Sequence, residues 1–196
     1  MMNNTENKPT FSIIIAVHDQ AHELEQNLPQ LLTQQYDGNY EVIVVDESSS
    51  DETSDVLKQL KDTHQHLYTT FLPKYQFQKN RRRLALTLGV KAAKYQWVIF
   101  TDINTLPPSD TWLQELAAFT IPPTELLLGY YRRKKNELYL QQYEHIDQAC
   151  KTIVRAEHWR EGTGRGRWMR HLLTASKYDL IAVPASQGHE TLKLFC

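Results

Sequence analysis

Two stretches of the chain place an acid directly after a short apolar run, and this repeated pattern limits the fold more than any other feature. Residues 40–53 read YEVIVVDESSSDET, an apolar, β-branched run over 41–45 followed by Asp46, a run of small hydroxyl residues and acids able to start a helix. Residues 97–101 read WVIFT and lead into Asp102, Ile103 and Asn104. Short runs of this kind read as buried strands. In an open α/β sheet, ligands bind outside the carboxyl ends of the strands. Two acids gathered there repel each other unless a cation or ligand offsets them, so Asp46 and Asp102 define a candidate site.

The rest of the chain fits a sheet of that kind. Residues 11–17 (FSIIIAV) are apolar on both faces, as a buried parallel strand should be. Over 21–35, Leu24, Leu28, Leu31 and Leu32 fall at i, i+4, i+7 and i+8, which predicts an amphipathic helix with Pro29 inside it. The alternation continues with a helix capped by Ser50 or Asp51 and running through 60, and a strand over 67–72. A helix over 80–94 follows, with Leu84, Leu88 and Ala92 facing inwards, and Ser109 or Asp110 can cap a helix through 119. Further on, the pattern gives a strand over 125–129 and a long helix over 136–159, from the spacing of Tyr139, Tyr143, Ile146, Cys150 and Ile153. A basic loop over 162–167, a strand over 180–183 and a helix over 189–195 complete it. Strand–helix alternation through the first part of the chain predicts an α/β fold, with a mostly parallel central sheet and helices on both faces.

Bulk properties narrow the function classes. A length of 196 residues suits a single domain, with the polar stretch 1–10 as a disordered lead. A formal net charge of −1 supplies no global field for nucleic acid. Cys150 and Cys196 have neither metal-ligand spacing nor a disulfide framework, which fits a reduced, cytoplasmic protein. No apolar run approaches the roughly 18 residues of a spanning helix, so no transmembrane segment is expected. The reading leaves open whether the chain is part of a longer protein.

Several groups can carry chemistry. Asp102 and Asn104 stand two residues apart, and at an extended strand end such residues share a face. Paired hard oxygens suit Mg²⁺ or Mn²⁺; the plain alternative is a polar turn. Arg81, Arg82 and Arg83 sit at a predicted helix start, where the helix dipole disfavours cations. That favours an anionic partner over a merely solvated face. Arg132, Arg133, Lys134 and Lys135 follow a predicted strand and fit a solvated face, a phosphate or a lipid surface. The segment 164–167 lacks the Gly-Lys-Ser/Thr ending of a phosphate-binding loop. His189 and Glu190 can supply a general base or simply begin a helix.

Residues 11–19, 40–53, 82–93 (RRLALTLGVKAA) and 98–112 (VIFTDINTLPPSDTW) together resemble the family 2 glycosyltransferases with the GT-A fold, over about 11–119. The resemblance implies a Rossmann-like domain that moves a sugar from a nucleotide diphosphate, with UDP expected, to an acceptor with inversion. By position, it puts Ala16, Val17 and His18 on the loop that cradles the base. Asp46 falls on the acid that binds uracil or ribose, and Asp51 on the acid that closes that motif. Arg82 or Arg83 matches a basic position near the nucleotide, and Asp102 and Asn104 fall on the Asp-X-Asp motif that holds metal and diphosphate.

The last third is similar to a bacterial, often membrane-attached subgroup, in which Glu190 falls near the catalytic base. This gives a single domain with a nucleotide-binding half over 11–119 and an acceptor-side half over 120–196, the latter open to shortening. It also implies a saccharide or lipid-linked acceptor and a location in the cytoplasm or at the inner face of the membrane. The chain departs from the family pattern at Ala16, Asp19, Glu47 and Asn104. Those departures support an alternative, a non-catalytic GT-A module that holds a nucleotide or a partner. A nucleotidyltransferase is a weaker fit, for want of a glycine- and lysine-rich loop.

Overall fold

The computed structural model of the chain describes residues 8–74, 81–132, 137–144 and 180–187. The elements are β1 (Phe11–Val17), α1 (Ala21–Leu32), β2 (Tyr40–Asp46), α2 (Thr53–Thr63), β3 (Leu67–Phe71) and α3 (Arg81–Ala92). They continue with β4 (Trp97–Thr101), α4 (Trp112–Ala117), β5 (Leu126–Arg132), β6 (Glu137–Tyr143) and β7 (Leu180–Pro184). The seven strands form one sheet in the order β3-β2-β1-β4-β7-β5-β6. β3, β2, β1 and β4 run parallel, whereas β7 pairs antiparallel with both β4 and β5, and β5 pairs antiparallel with β6.

β1 has no polar face to give to water: all seven of its residues are buried. Phe11, Ile13, Ile15 and Val17 join the cluster that includes Leu24, Leu28, Leu31 and Leu32 of α1, Leu57 of α2, and Trp112, Leu113 and Leu116 of α4. Ile14 and Ala16 point the other way, into the cluster under Ala85, Leu86 and Val90 of α3. Strand alternation thus assigns each residue to one of two helical layers. The chain goes from β1 outwards to β2 and β3, then returns to place β4 on the other side of β1. This reversal makes the gap between β1 and β4 the topological switch point, outside which ligands bind in such sheets.

At the opposite edge, a buried clamp closes the sheet. Glu41 is 4% exposed. Its Oε1 accepts from Ser12 Oγ at 2.7 Å and from the Lys94 N–H at 3.0 Å. Lys94 Nζ lies 3.3 Å from Oε2. The connection from α3 to β4 is thereby tied to β1 and β2, and the buried carboxylate has the partners it needs.

The structure corrects several expectations. The helix expected from 136 is a strand over Glu137–Tyr143, and its continuation through 159 lies outside the described residues. α3 buries Ala85, Leu86, Gly89 and Val90, while Leu84, expected inside, is 41% exposed. α2 begins after Glu52 rather than after Ser50 or Asp51, and α4 after Thr111 rather than after Ser109 or Asp110. β5 runs on to Arg132. Residues 8–10, expected to be disordered, are held in place: Lys8 pairs with Asp37 at 2.7 Å, and Thr10 O accepts the Trp97 N–H at 2.9 Å. The basic loop 162–167 and the last helix 189–195 lie outside the described residues.

α3 packs unusually close to β1. A Cβ added at Gly89 would stand 2.4 Å from Ile14 Cγ2, a methyl on a stiff β-branched side chain. Gly89→Ala should therefore destabilise the fold by about 1–3 kcal/mol through overpacking, against a gain of roughly 1 kcal/mol in helix propensity. Thermal denaturation checks this, the expected result being a lower melting temperature.

Candidate active site

At the carboxyl edge of the parallel strands the connections after β1, β2 and β4 meet, with the start of α3 beside them. β1 ends at Val17, opposite Asp46 at the end of β2. Ala16 and Val17, expected in the loop beyond β1, are instead its last residues. Both are fully buried, so neither offers a side chain to a ligand. The Val17 carbonyl is also used, accepting the Glu47 N–H at 2.8 Å. Of the expected base-cradle residues only His18 lies past the strand, exposed and 3.5 Å from the Asp19 carboxylate.

The loops after β1 and β2 are stitched together by polar side chains. Asp19 and Ser48 both adopt left-handed backbone conformations, with φ of 50° and 65°, an arrangement that acids and other short polar residues tolerate. Asp19 Oδ1 accepts the Ser50 N–H at 2.6 Å, and the Asp19 N–H donates to Ser49 Oγ at 2.9 Å. Hydrogen bonds from Ser50 are the main reason that the Asp19 carboxyl titrates below its usual range. Asp51, expected to close the acidic motif at the ligand, uses both oxygens on helix starts. Oδ2 accepts from the first N–H of α1, at Ala21 (3.0 Å), and Oδ1 from the first N–H of α2, at Thr53 (3.1 Å). One carboxylate therefore caps two helices.

Asp46 lies on the edge itself. Its Oδ1 accepts both the N–H (2.8 Å) and the hydroxyl (2.6 Å) of Ser49. This fixes the carboxylate, and Oδ2 takes no partner among the described residues. Beside it, burial pushes the Glu47 carboxyl above its ordinary range, against the pull of Arg82, His18 and Arg81.

Asp102 follows β4 in a tight turn closed by the Thr105 N–H on its carbonyl at 2.9 Å. Asn27 of α1 steadies this turn, donating to Ile103 O at 3.1 Å. The turn overrides the expectation that Asp102 and Asn104 share a strand face. Asn104 instead folds back and donates its N–H and its Nδ2–H to Asp102 Oδ1, each at 3.0 Å. Arg82 Nη2 holds the other oxygen, Oδ2, at 2.8 Å. Burial raises the carboxyl pKa, but the Asn104 N–H and the Arg82 charge outweigh it, so Asp102 ends below the usual carboxylate range.

Both arginines reach the edge from the first turn of α3. Arg81 Nη2 donates to Glu47 O at 2.6 Å and to Ser48 Oγ at 2.8 Å, so it braces the acidic turn after β2 while Arg82 braces the one after β4. In the sequence nothing distinguishes Arg81 from its neighbours except its place in a basic run at a helix start, where the dipole disfavours cations. Arg83 makes no side-chain contact with the site among the described residues; its carbonyl accepts from Thr87. Glu190, the expected base, lies outside the described residues.

Among the described residues, no three His, Cys, Asp or Glu side chains cluster as metal ligands. Asp102 supplies one carboxylate, with Asn104 beside it. Mg²⁺ and Mn²⁺ can be held by a single carboxylate when substrate phosphates and waters complete the shell. The donor set fits a divalent ion on those terms.

Because Asp51 caps two helices, its loss should be felt globally. Asp51→Ala is expected to cost about 1–2 kcal/mol, read as a lower urea midpoint with an unchanged slope.

Comparison with known proteins agrees with this geometry. The model of the family described as Glycosyl transferase family 2 matches residues 12–183. Poly-beta-1,6-N-acetyl-D-glucosamine synthase of Staphylococcus aureus (strain COL) is 24% identical over 108 residues, 55% of this chain and 24% of its own length. The chain thus spans about a quarter of the length of that curated relative. Among solved structures, a mannosyltransferase from Pyrobaculum calidifontis, in complex with GDP-Man and Mn²⁺, superimposes with a TM-score of 0.57 at 20% identity, covering 91% of this chain and 45% of its own. S. aureus TarS 1–349 in complex with UDP-GlcNAc gives 0.52 at 24% identity, covering 63% of this chain and 34% of its own. Glucosyl-3-phosphoglycerate synthase from Mycobacterium tuberculosis, with Mn²⁺, UDP and phosphoglyceric acid, gives 0.54 at 16% identity, covering 91% and 56%. These neighbours establish a GT-A glycosyltransferase fold. With its family model matched from the first strand to the last, the chain belongs to glycosyl transferase family 2.

Proposed function

We propose that this chain transfers a sugar from a UDP-sugar to a saccharide or lipid-linked acceptor, with inversion at the anomeric carbon. One observation carries the reading: Asp46 and Asp102 stand at the ends of the two parallel strands that flank β1, with Arg82 paired to Asp102 and Arg81 bonded to the turn just after Asp46. Fixed carboxylates serve a base and a ribose, and cationic groups serve a diphosphate. Relatives bind ligands of this class: the TarS structure holds UDP-GlcNAc, and the mannosyltransferase holds GDP-Man with Mn²⁺.

In this reading the chain is one unit, with a donor half over 11–119 and an acceptor half over 120–196. Asp46 Oδ2 accepts from the uracil imide or a ribose hydroxyl, while Ser49 holds the carboxylate in position. His18 lies alongside as a wall of the base cradle. Asp51 sets the spacing of the two loops rather than touching the ligand. Asp102, with Asn104, is where Mn²⁺ or Mg²⁺ would be held, to offset charge on the leaving diphosphate. The acceptor oxygen forms its bond to the anomeric carbon as the carbon–phosphate-oxygen bond breaks, and Glu190 takes the acceptor proton. No helix among the described residues is long and apolar enough to cross a membrane. We place the protein in the cytoplasm or peripherally at the inner face of the membrane.

Calorimetric titration of UDP, with GDP as control, in the presence and absence of Mn²⁺ tests the donor site. UDP should bind in preference to GDP and more tightly with Mn²⁺; no binding of UDP under either condition would sink the proposal. Asn104→Asp adds a second hard carboxylate oxygen and should tighten Mn²⁺ binding in the UDP complex, as read by the same titration. An unchanged metal affinity would remove position 104 from the metal site.

A further inference from the structure

Asp102 is claimed twice. As the acid after β4 it is the carboxylate on which a divalent ion would sit, yet its Oδ2 is held by Arg82 Nη2 at 2.8 Å and its Oδ1 takes both donors of Asn104. Asn104 turns its Nδ2, not its amide oxygen, towards Asp102. A guanidinium and a divalent cation on one carboxylate repel each other, so the two compete for it.

The ion pair is also incompletely satisfied. Among the described residues the buried Arg82 Nε–H has no hydrogen-bond partner, although the Arg82 and Asp102 side chains are 33% and 35% exposed. An unmade bond on a buried donor costs free energy, so the guanidinium retains a donor for a further acceptor. A diphosphate lying between the two strand ends would offer it several anionic oxygens in a geometry that a planar guanidinium matches bidentately. Arg81 is already committed to Glu47 O and Ser48 Oγ on the β2 side, which leaves Arg82 as the arginine able to change partners.

We infer that Arg82 and a divalent cation are alternative partners of Asp102. Without nucleotide the guanidinium closes the carboxylate; a diphosphate draws the guanidinium away and opens Asp102 to the metal. Metal and nucleotide then bind with positive coupling, and Arg82 acts as a positioning residue that keeps the metal off the empty site. The ligand in this inference rests on the donor-site reading above, but the competition for Asp102 stands on its own geometry.

The test is direct titration of Mn²⁺ into the nucleotide-free protein, wild type and Arg82→Gln, with melting temperatures recorded for both. Arg82→Gln should bind Mn²⁺ about tenfold more tightly than wild type, since coupling between sites of this kind is commonly 5–150-fold. Equal or weaker binding by a folded Arg82→Gln protein overturns the inference. A second measurement needs no variant: wild type titrated with Mn²⁺ in the presence and absence of UDP, with Mn²⁺–UDP complexation in solution subtracted. Tighter Mn²⁺ binding with UDP supports the inference, and equal affinity with UDP bound overturns it. If UDP binds neither protein, the donor-site reading fails, while the nucleotide-free Mn²⁺ comparison still decides the competition between Arg82 and the metal.

Discussion

Everything at the carboxyl edge depends on β1 being buried on both faces and hydrogen-bonded on both sides. With β2 on one flank and β4 on the other, its register fixes the height at which Asp46 and the turn carrying Asp102 emerge. Its two side-chain faces then decide which helices cover which layer: α1, α2 and α4 over one, α3 over the other. A strand with no solvent face has no freedom to slip, because a one-residue shift would exchange its two faces. The site inherits that rigidity, and its polar groups sit on connections whose starting points cannot move.

Within that frame the carboxylates divide into two kinds. Asp19 and Asp51 spend their oxygens on backbone N–H groups and build the loops. Asp46 and Asp102 present their carboxyl groups at the edge, one braced by Ser49 and the other by Asn104 and Arg82. Glu47 lies between the kinds: burial favours its neutral form, while Arg82, His18 and Arg81 pull towards its charged one. The structural acids lie on the loops after β1 and β2. The turn after β4 is held by the Asn104 N–H and side chain and by the Arg82 guanidinium.

The parallel half was legible because buried strands are written as unbroken apolar runs. β1 and β4 have the bounds the sequence implied, and the acid that ends β2 and the acid after β4 fall at the same edge. The misreadings came where two periods compete. Tyr139 and Tyr143 are spaced for a helix, but Glu137–Tyr143 also alternates, with Leu138 and Leu140 on one parity and the tyrosines on the other, and pairing with β5 decided for the strand. In α3, leucines suggested a face through Leu84, whereas close contact with β1 selects the small residues Ala85 and Gly89 and turns Leu84 outwards. At 102–104 the same two residues fit a strand end or an Asx-type turn. The turn won because it satisfies the Asn104 N–H locally. The double role of Asp51 could not be read from sequence, since it needs two helix starts brought together by the sheet.

The glycine in α3 has a consequence beyond packing. Gly89 lies seven residues along the helix from Arg82, about 10 Å at the usual rise. The helix backbone rests there directly on the Ile14 side chain, with no side chain of its own between, much as a lever rests on its fulcrum. The thickness of that contact sets the height of the far end, and so the point at which the guanidiniums of Arg81 and Arg82 meet the strand tips. A residue that touches no ligand thereby calibrates the charge geometry of the site.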